Sequence, residues 1–102
     1  MSLSKEYILT TLHEERLWKS GESDTFSFGP WVLTLVREDD WALPFKFALH
    51  GSKSGTNETW SRRYLNMEQA FLHIFNRFNE NANVKNRYAT LDEALADEFG
   101  SE

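Results

Sequence analysis

The chain has 102 residues, of which 40% are hydrophobic and 15% aromatic, enough apolar mass for the core of one small domain and too much for a disordered chain. A formal charge of −5 argues against bulk adsorption to nucleic acid, and the absence of cysteine excludes disulfides, thiolate zinc sites and cysteine nucleophiles. No apolar run reaches the roughly 18 residues of a membrane span or the length of a signal peptide at the N-terminus, so a cytoplasmic protein is expected.

Residues 4–19, S-K-E-Y-I-L-T-T-L-H-E-E-R-L-W-K, read as a helix, with an N-terminal strand as the alternative. Ser4 suits an N-cap, Gly21 suits a stop, and Ile8, Leu9 and Leu12 share a face. Tyr7, Leu17 and Trp18 leave that face, and the β-branched pair Thr10-Thr11 favours the strand. Residues 20–25, S-G-E-S-D-T, read as a loop.

From Phe26 to Val36, Phe26 and Phe28 alternate with Ser27, and Gly29-Pro30 then breaks the run. Beyond the break, Trp31, Leu33 and Leu35 face one way and Val32, Thr34 and Val36 the other. A strand apolar on both sides is predicted to be central. Arg37-Glu38-Asp39-Asp40 reads as a charged hairpin turn. Trp41 to His50 sets Trp41, Leu43, Phe45, Phe47 and Leu49 against Ala42, Pro44, Lys46, Ala48 and His50, the pattern of a half-buried strand. Pro44 puts that strand at an edge or a bulge. Gly51 to Asn57 reads as a flexible loop, and Thr59 to Leu65 as a third strand with Trp60, Arg62 and Tyr64 opposite Ser61 and Arg63.

Tyr64 to Asn81 holds the organising helix. Asn66 with Gln69 three residues later resembles a capping box. Met67, Ala70, Phe71, Ile74, Phe75 and Phe78 recur at spacings of three and four, which places them on one stripe. Gln69, His73, Asn76 and Glu80 lie opposite, and Leu72 lies off the stripe, where it could meet a second element or a partner. Asn79, Asn81 and Asn83 supply the stop. An Asn-rich linker over 82–89 carries Lys85, Arg87 and Tyr88. Thr90 and Glu93 form a second capping box, Leu91, Leu95 and Phe99 form a stripe, and Gly100 ends a short C-terminal helix. The expected fold is α+β: a three-stranded antiparallel meander, four-stranded if the N-terminal segment is a strand, covered by the central helix.

Chemistry-bearing motifs are scarce. His13-Glu14-Glu15 is adjacent rather than helically spaced, so it does not make a metal motif, and His13, His50 and His73 come from separate elements. Ser52-Lys53-Ser54-Gly55-Thr56 lacks the order and the following helix of a phosphate loop. No nucleophile elbow or carboxylate-pair signature is present. Neither catalysis, a metal nor a cofactor is therefore expected.

Charge is segregated. Residues 1–45 carry four basic and eight acidic side chains, residues 46–87 seven and three, and residues 88–102 none and five. In the basic middle, Trp60, Arg62 and Arg63 with Lys46, Lys85 and Arg87 interleave aromatics and cations, as single-stranded nucleic-acid binders do. The acidic groups Glu38, Asp39, Asp40, Asp97 and Glu98, with Leu72, offer instead a protein-docking surface.

The segments W-V-L-T-L, R-R-Y-L-N-M-E-Q-A-F-L-H-I-F-N-R-F and Y-A-T-L-D-E-A-L-A, spread over residues 31–96, resemble small phage and prophage proteins of unknown function. The resemblance carries no catalytic residue. It implies a small intracellular accessory protein that binds a host or phage protein. The expected function is a non-catalytic module acting through protein contacts, a second copy of the chain being one such partner. Single-stranded nucleic-acid binding is the alternative, and no membrane is involved.

Overall fold

Alternating apolar side chains build a sheet, and helical stripes of apolar side chains cover it. The computed structural model describes residues 2–38, 44–78 and 88–100. Asp39, Asp40, Trp41, Leu43, Lys85 and Arg87 lie outside the described residues. In chain order come α1 (Lys5–His13), a 3-10 turn (Glu15–Leu17), β1 (Ser23–Phe28), β2 (Trp31–Arg37), β3 (Phe47–Lys53), β4 (Thr59–Tyr64), α2 (Met67–Phe78) and α3 (Leu91–Phe99). The strands pair antiparallel in the order β1-β2-β3-β4, an α+β fold with a four-stranded sheet.

The N-terminal segment is a helix, as expected, and Ser4 accepts a hydrogen bond from the Tyr7 amide at its cap. The fourth strand comes from a different place than the N-terminal alternative put it. Gly29-Pro30 does not interrupt one strand but turns between two, with Phe28 paired to Trp31. Gly29 has φ +60. A positive φ at the first central residue followed by proline, fixed near −65°, is the requirement of a type II′ hairpin turn. Residues 23–25, expected in a loop, therefore belong to β1. Their polar side chains suit a solvent-facing edge strand, and Thr25 and Thr34 share a hydrogen bond across the ladder at 3.0 Å.

A second correction concerns β3. It starts at Phe47, with Pro44 to Lys46 outside the strand, and it runs through Gly51-Ser52-Lys53, which had been expected in a loop. Pro44 cannot donate to a ladder. Gly51 pairs with Leu33 and Trp60 in the strand, and a Cβ there would stand 2.8 Å from Leu33 Cδ2 and 3.4 Å from the Trp31 ring.

Register places Phe26, Leu33, Leu35, Leu49, Phe47 and Tyr64 on one face of the sheet, and all are buried. Against them lies the predicted α2 stripe, with Met67, Ala70, Phe71, Ile74, Phe75 and Phe78 all buried. Phe71 meets the Tyr7 and Phe26 rings, so α1, β1 and α2 share one core. Both capping boxes form at their amide end: Asn66 accepts from Gln69 N and Thr90 from Glu93 N. The reciprocal bonds land one residue early, on Leu65 N and Ala89 N. Asn76 on α2 ties down the chain entering α3, exchanging two hydrogen bonds with the Tyr88 backbone. The outer edge of β1 is met by Ser2 and Leu3, where the Leu3 amide donates to the Ser27 carbonyl at 2.8 Å. Among the described residues no helix is long and apolar enough to cross a membrane.

Candidate functional site

β4 carries most of the constellation singled out from the sequence, and its pleat takes that constellation apart. Side chains alternate across a strand, so Arg62 lies on the helix side of the sheet and Arg63 on the open side. Arg62 is exposed and its guanidinium lies 5.9 Å from the Tyr64 ring centre. Arg63 pairs with Glu38 at 3.2 Å. Trp60 is half-buried, its ring stacked on His73 at 5.2 Å and edge-on to Phe78 at 5.0 Å. Tyr64 is only 6% exposed. Tyr64 is thus committed to the core, whereas Trp60 packs one side on His73 and Phe78 and also lines two surface depressions. Lys46 sits beyond β3, its carbonyl accepting from the Glu38 amide at 2.8 Å.

The Tyr64 hydroxyl is buried and has no hydrogen-bond partner among the described residues. Burial pushes its pKa well above the usual phenol value, with the nearby Arg62 charge opposing. A buried donor without a partner carries its full desolvation cost. Tyr64→Phe is therefore expected to raise stability by about 1 kcal/mol, read as a higher urea midpoint. A lower midpoint would show that the hydroxyl is engaged in the folded protein.

On the side of the sheet away from the helices, Ala48 is buried, and the rows next to it carry no charged side chain among the described residues. Thr25, Thr34, His50 and Ser61 form one row across all four strands, and Ser27, Val32, Ser52 and Thr59 form the next. A shallow depression of about 460 Å³ lies there, with His50 on its wall beside Thr34, Ser52 and Ser61. His73 lines a smaller cleft of about 230 Å³ between β4 and α2, with Arg62, Tyr64, Gln69, Leu72 and Asn76. Neither histidine has a carboxylate beside it in its lining. Among the described residues no group of three His, Asp or Glu side chains could hold a metal ion.

The backbone of β4 adds something that side-chain patterns do not show. The Lys53 amide donates to the Glu58 carbonyl at 3.1 Å, which makes that pair a hydrogen-bonded one. Stepping by two, Trp60, Arg62 and Tyr64 turn their amides and carbonyls toward β3, and Thr59, Ser61 and Arg63 turn theirs outward. Thr59, Ser61 and Arg63 are exposed. Their outward backbone groups meet no partner among the described residues.

The candidate docking residues also divide. Glu38 is held by Arg63. Leu72 packs half-buried against the core. Asp97 and Glu98 both lie within hydrogen-bond distance of the Tyr88 hydroxyl, at 2.5 and 2.7 Å, and share its one proton, which clamps α3. Burial and these acceptors push the Tyr88 pKa well above the usual phenol value. Tyr7 is pushed up in the same way, by burial and by its bond to Asp24.

One grouping had no counterpart in the sequence reading. Lys46 does not join Arg62 and Arg63 but borders a cleft of about 510 Å³ with Arg16 and Arg37. These three cations come from the 3-10 turn, the end of β2 and the approach to β3. No local spacing announces them. Comparison with family models, curated proteins and solved structures finds no match for the chain.

Proposed function

We propose that this protein is a small, non-catalytic, intracellular binding module that acts by protein–protein contact, receiving an extended segment of its partner along β4. The observation that carries this reading is the outward-facing backbone of Thr59, Ser61 and Arg63, without a partner among the described residues, on an exposed strand without proline. A strand edge of this kind is a template for another strand, and main-chain hydrogen bonds supply the affinity. Ser61 and Thr59 leave room beside the edge, and Arg62, exposed on the helix side, favours an acidic side chain at the facing position of the segment. The uncharged rows of Thr34, His50 and Ser61 and of Val32, Ser52 and Thr59 next to the edge extend the contact without adding repulsion to a protein of net charge −5. An accessory role like that of the small phage proteins belongs to the same reading. Nucleic-acid binding gains less support, because Arg62 and Arg63 lie on opposite faces of the sheet, Arg63 is held by Glu38, and Tyr64 is buried.

The test is Ser61→Pro. The Ser61 amide points away from β3, so proline removes an edge donor and leaves the β3 ladder intact. Peptides selected from a random library against the natural protein are titrated against both forms by calorimetry. Affinity is expected to fall at least about tenfold in the proline form, with an unchanged circular dichroism spectrum. The Ser61 and Arg63 amides of the natural protein should become slow to exchange only in the complex. Equal affinities, with those amides exchanging freely, would overturn docking along β4. Saturable, salt-sensitive quenching of tryptophan fluorescence by a single-stranded oligonucleotide, lost on replacing Arg62 and Arg63 by alanine, would favour the nucleic-acid alternative.

A further inference from the structure

We infer that the strand received along β4, on the docking reading proposed for that edge, is β4 of a second copy of the chain, paired antiparallel about a two-fold axis at Ser61. Hydrogen bonds between two such edges must join outward-facing residues, which are Thr59, Ser61 and Arg63 in both copies. Few registers satisfy that parity. An axis at Arg62 sets Arg62 directly against itself, and like charges opposite one another destabilise a ladder. An axis at Arg63 opposes like charges in the same way. An axis at Trp60 or Thr59 leaves Arg63 beyond the overlap of the two strands. An axis at Ser61 pairs Ser61 with Ser61 and Thr59 with Arg63 on each side, so every outward residue of both strands is used.

That register is also complementary in charge. Arg62 is exposed on the helix side and has no carboxylate partner among the described residues. Pairing about Ser61 sets it opposite Trp60 of the second copy, whose half-buried ring packs one side on His73 and Phe78 and also borders two surface depressions. A guanidinium over an indole is attracted by the negative face of the ring. Glu58 shares the helix side with Trp60 and Arg62 by its two-residue spacing, and it is exposed. In the pair, Glu58 of the second copy stands diagonal to Arg62, within reach of a long side chain. The two Arg62 side chains are themselves diagonal rather than opposed. On the open side, Arg63 faces Thr59 of the second copy while its charge is met by Glu38 of its own chain at 3.2 Å. The two-fold repeats each contact, so one surface serves both partners. A net charge of −5 on each copy opposes association, and salt screens that repulsion beyond roughly 8 Å at physiological strength.

The test is the mass of the full chain by sedimentation equilibrium at physiological salt. Two short strands make a small interface, so the concentration runs from about 5 µM to about 1 mM. The mass should climb from 12.0 kDa to twice that value. Ser61→Pro, with an unchanged circular dichroism spectrum, should stay at the single mass. The chain has no cysteine, so one introduced thiol reports the register. Opposed hydrogen-bonded residues stand about 5.5 Å apart at Cα, which a disulfide can bridge. Oxidation should therefore link Ser61→Cys chains into dimers faster than Arg62→Cys chains. A single mass across the range, a dimer that survives Ser61→Pro, or faster linkage through Arg62→Cys overturns the second copy. If the chain stays single while the selected peptides still lose affinity on Ser61→Pro, the second copy is wrong and docking along β4 stands. If the peptides bind both forms equally, docking along β4 falls, and the second copy with it.

Discussion

Replacing Phe71 with alanine is expected to lower the free energy of unfolding by about 3–5 kcal/mol. Phe71 is fully buried at the crossing of α1, α2 and β1, with ring contacts to Tyr7 at 6.3 Å and Phe26 at 6.1 Å. Removing the ring forfeits its transfer free energy and leaves a cavity that three elements, each anchored elsewhere, cannot close. A domain of this size is stable by about 5–15 kcal/mol in all, so the loss is a large share of the whole. It corresponds to a fall of roughly 15–30 °C in the melting midpoint. The adjacent Leu72 is the control: it lies off the stripe and is only half-buried, so Leu72→Ala should cost about 1 kcal/mol. Equal losses in chemical denaturation would mean that α2 does not present the stripe described.

Gly51 should be as unforgiving in the opposite sense, through crowding rather than a void. A Cβ at this position comes within 2.8 Å of Leu33 Cδ2, with Trp31 Cε3 at 3.4 Å on the other side. Leu33 Cδ2 is a side-chain end, and elsewhere it would swing away. Here Leu33 is fully buried and has nowhere to turn. Gly51→Ala is expected to cost about 1 kcal/mol and Gly51→Val about 3 kcal/mol, although both residues have the better intrinsic strand propensity. Urea titration of the pair checks the order. A stabilising valine would place Gly51 outside the strand, in the loop that its Gly- and Ser-rich surroundings suggest.

Those two positions mark what the amino-acid order reveals and what it hides. The α2 stripe is legible because six apolar side chains keep helical spacing behind a recognisable N-cap, so local pattern and global burial agree. Leu33 and Leu35 are legible as core for the same reason, through their two-residue period. β1 is hidden because Gly29-Pro30 has the same composition whether it breaks a strand or turns between two. Only the pairing of Phe28 with Trp31 decides. The span of β3 is hidden because the need for Gly51 comes from Leu33, a residue on another strand. The split of Arg62 from Arg63 follows from the pleat alone, yet which face carries the helices does not. Arg16, Arg37 and Lys46 are brought together by three separate elements, and no spacing rule connects them.

The two borders of the sheet differ in a way that bears on how copies of this molecule could assemble. At β1 the Ser27 carbonyl is already taken by Leu3, so an incoming strand would find one of the outward positions occupied. At β4 no such obstruction stands among the described residues. A sheet with two vacant borders can polymerise, each added copy offering a fresh end, and that route leads to fibres. With a single vacant border, strand addition ends after one event: two copies joined β4 to β4 would leave only their obstructed sides outward. The backbone of Ser2 and Leu3 thereby sets the β1 border apart from the β4 border.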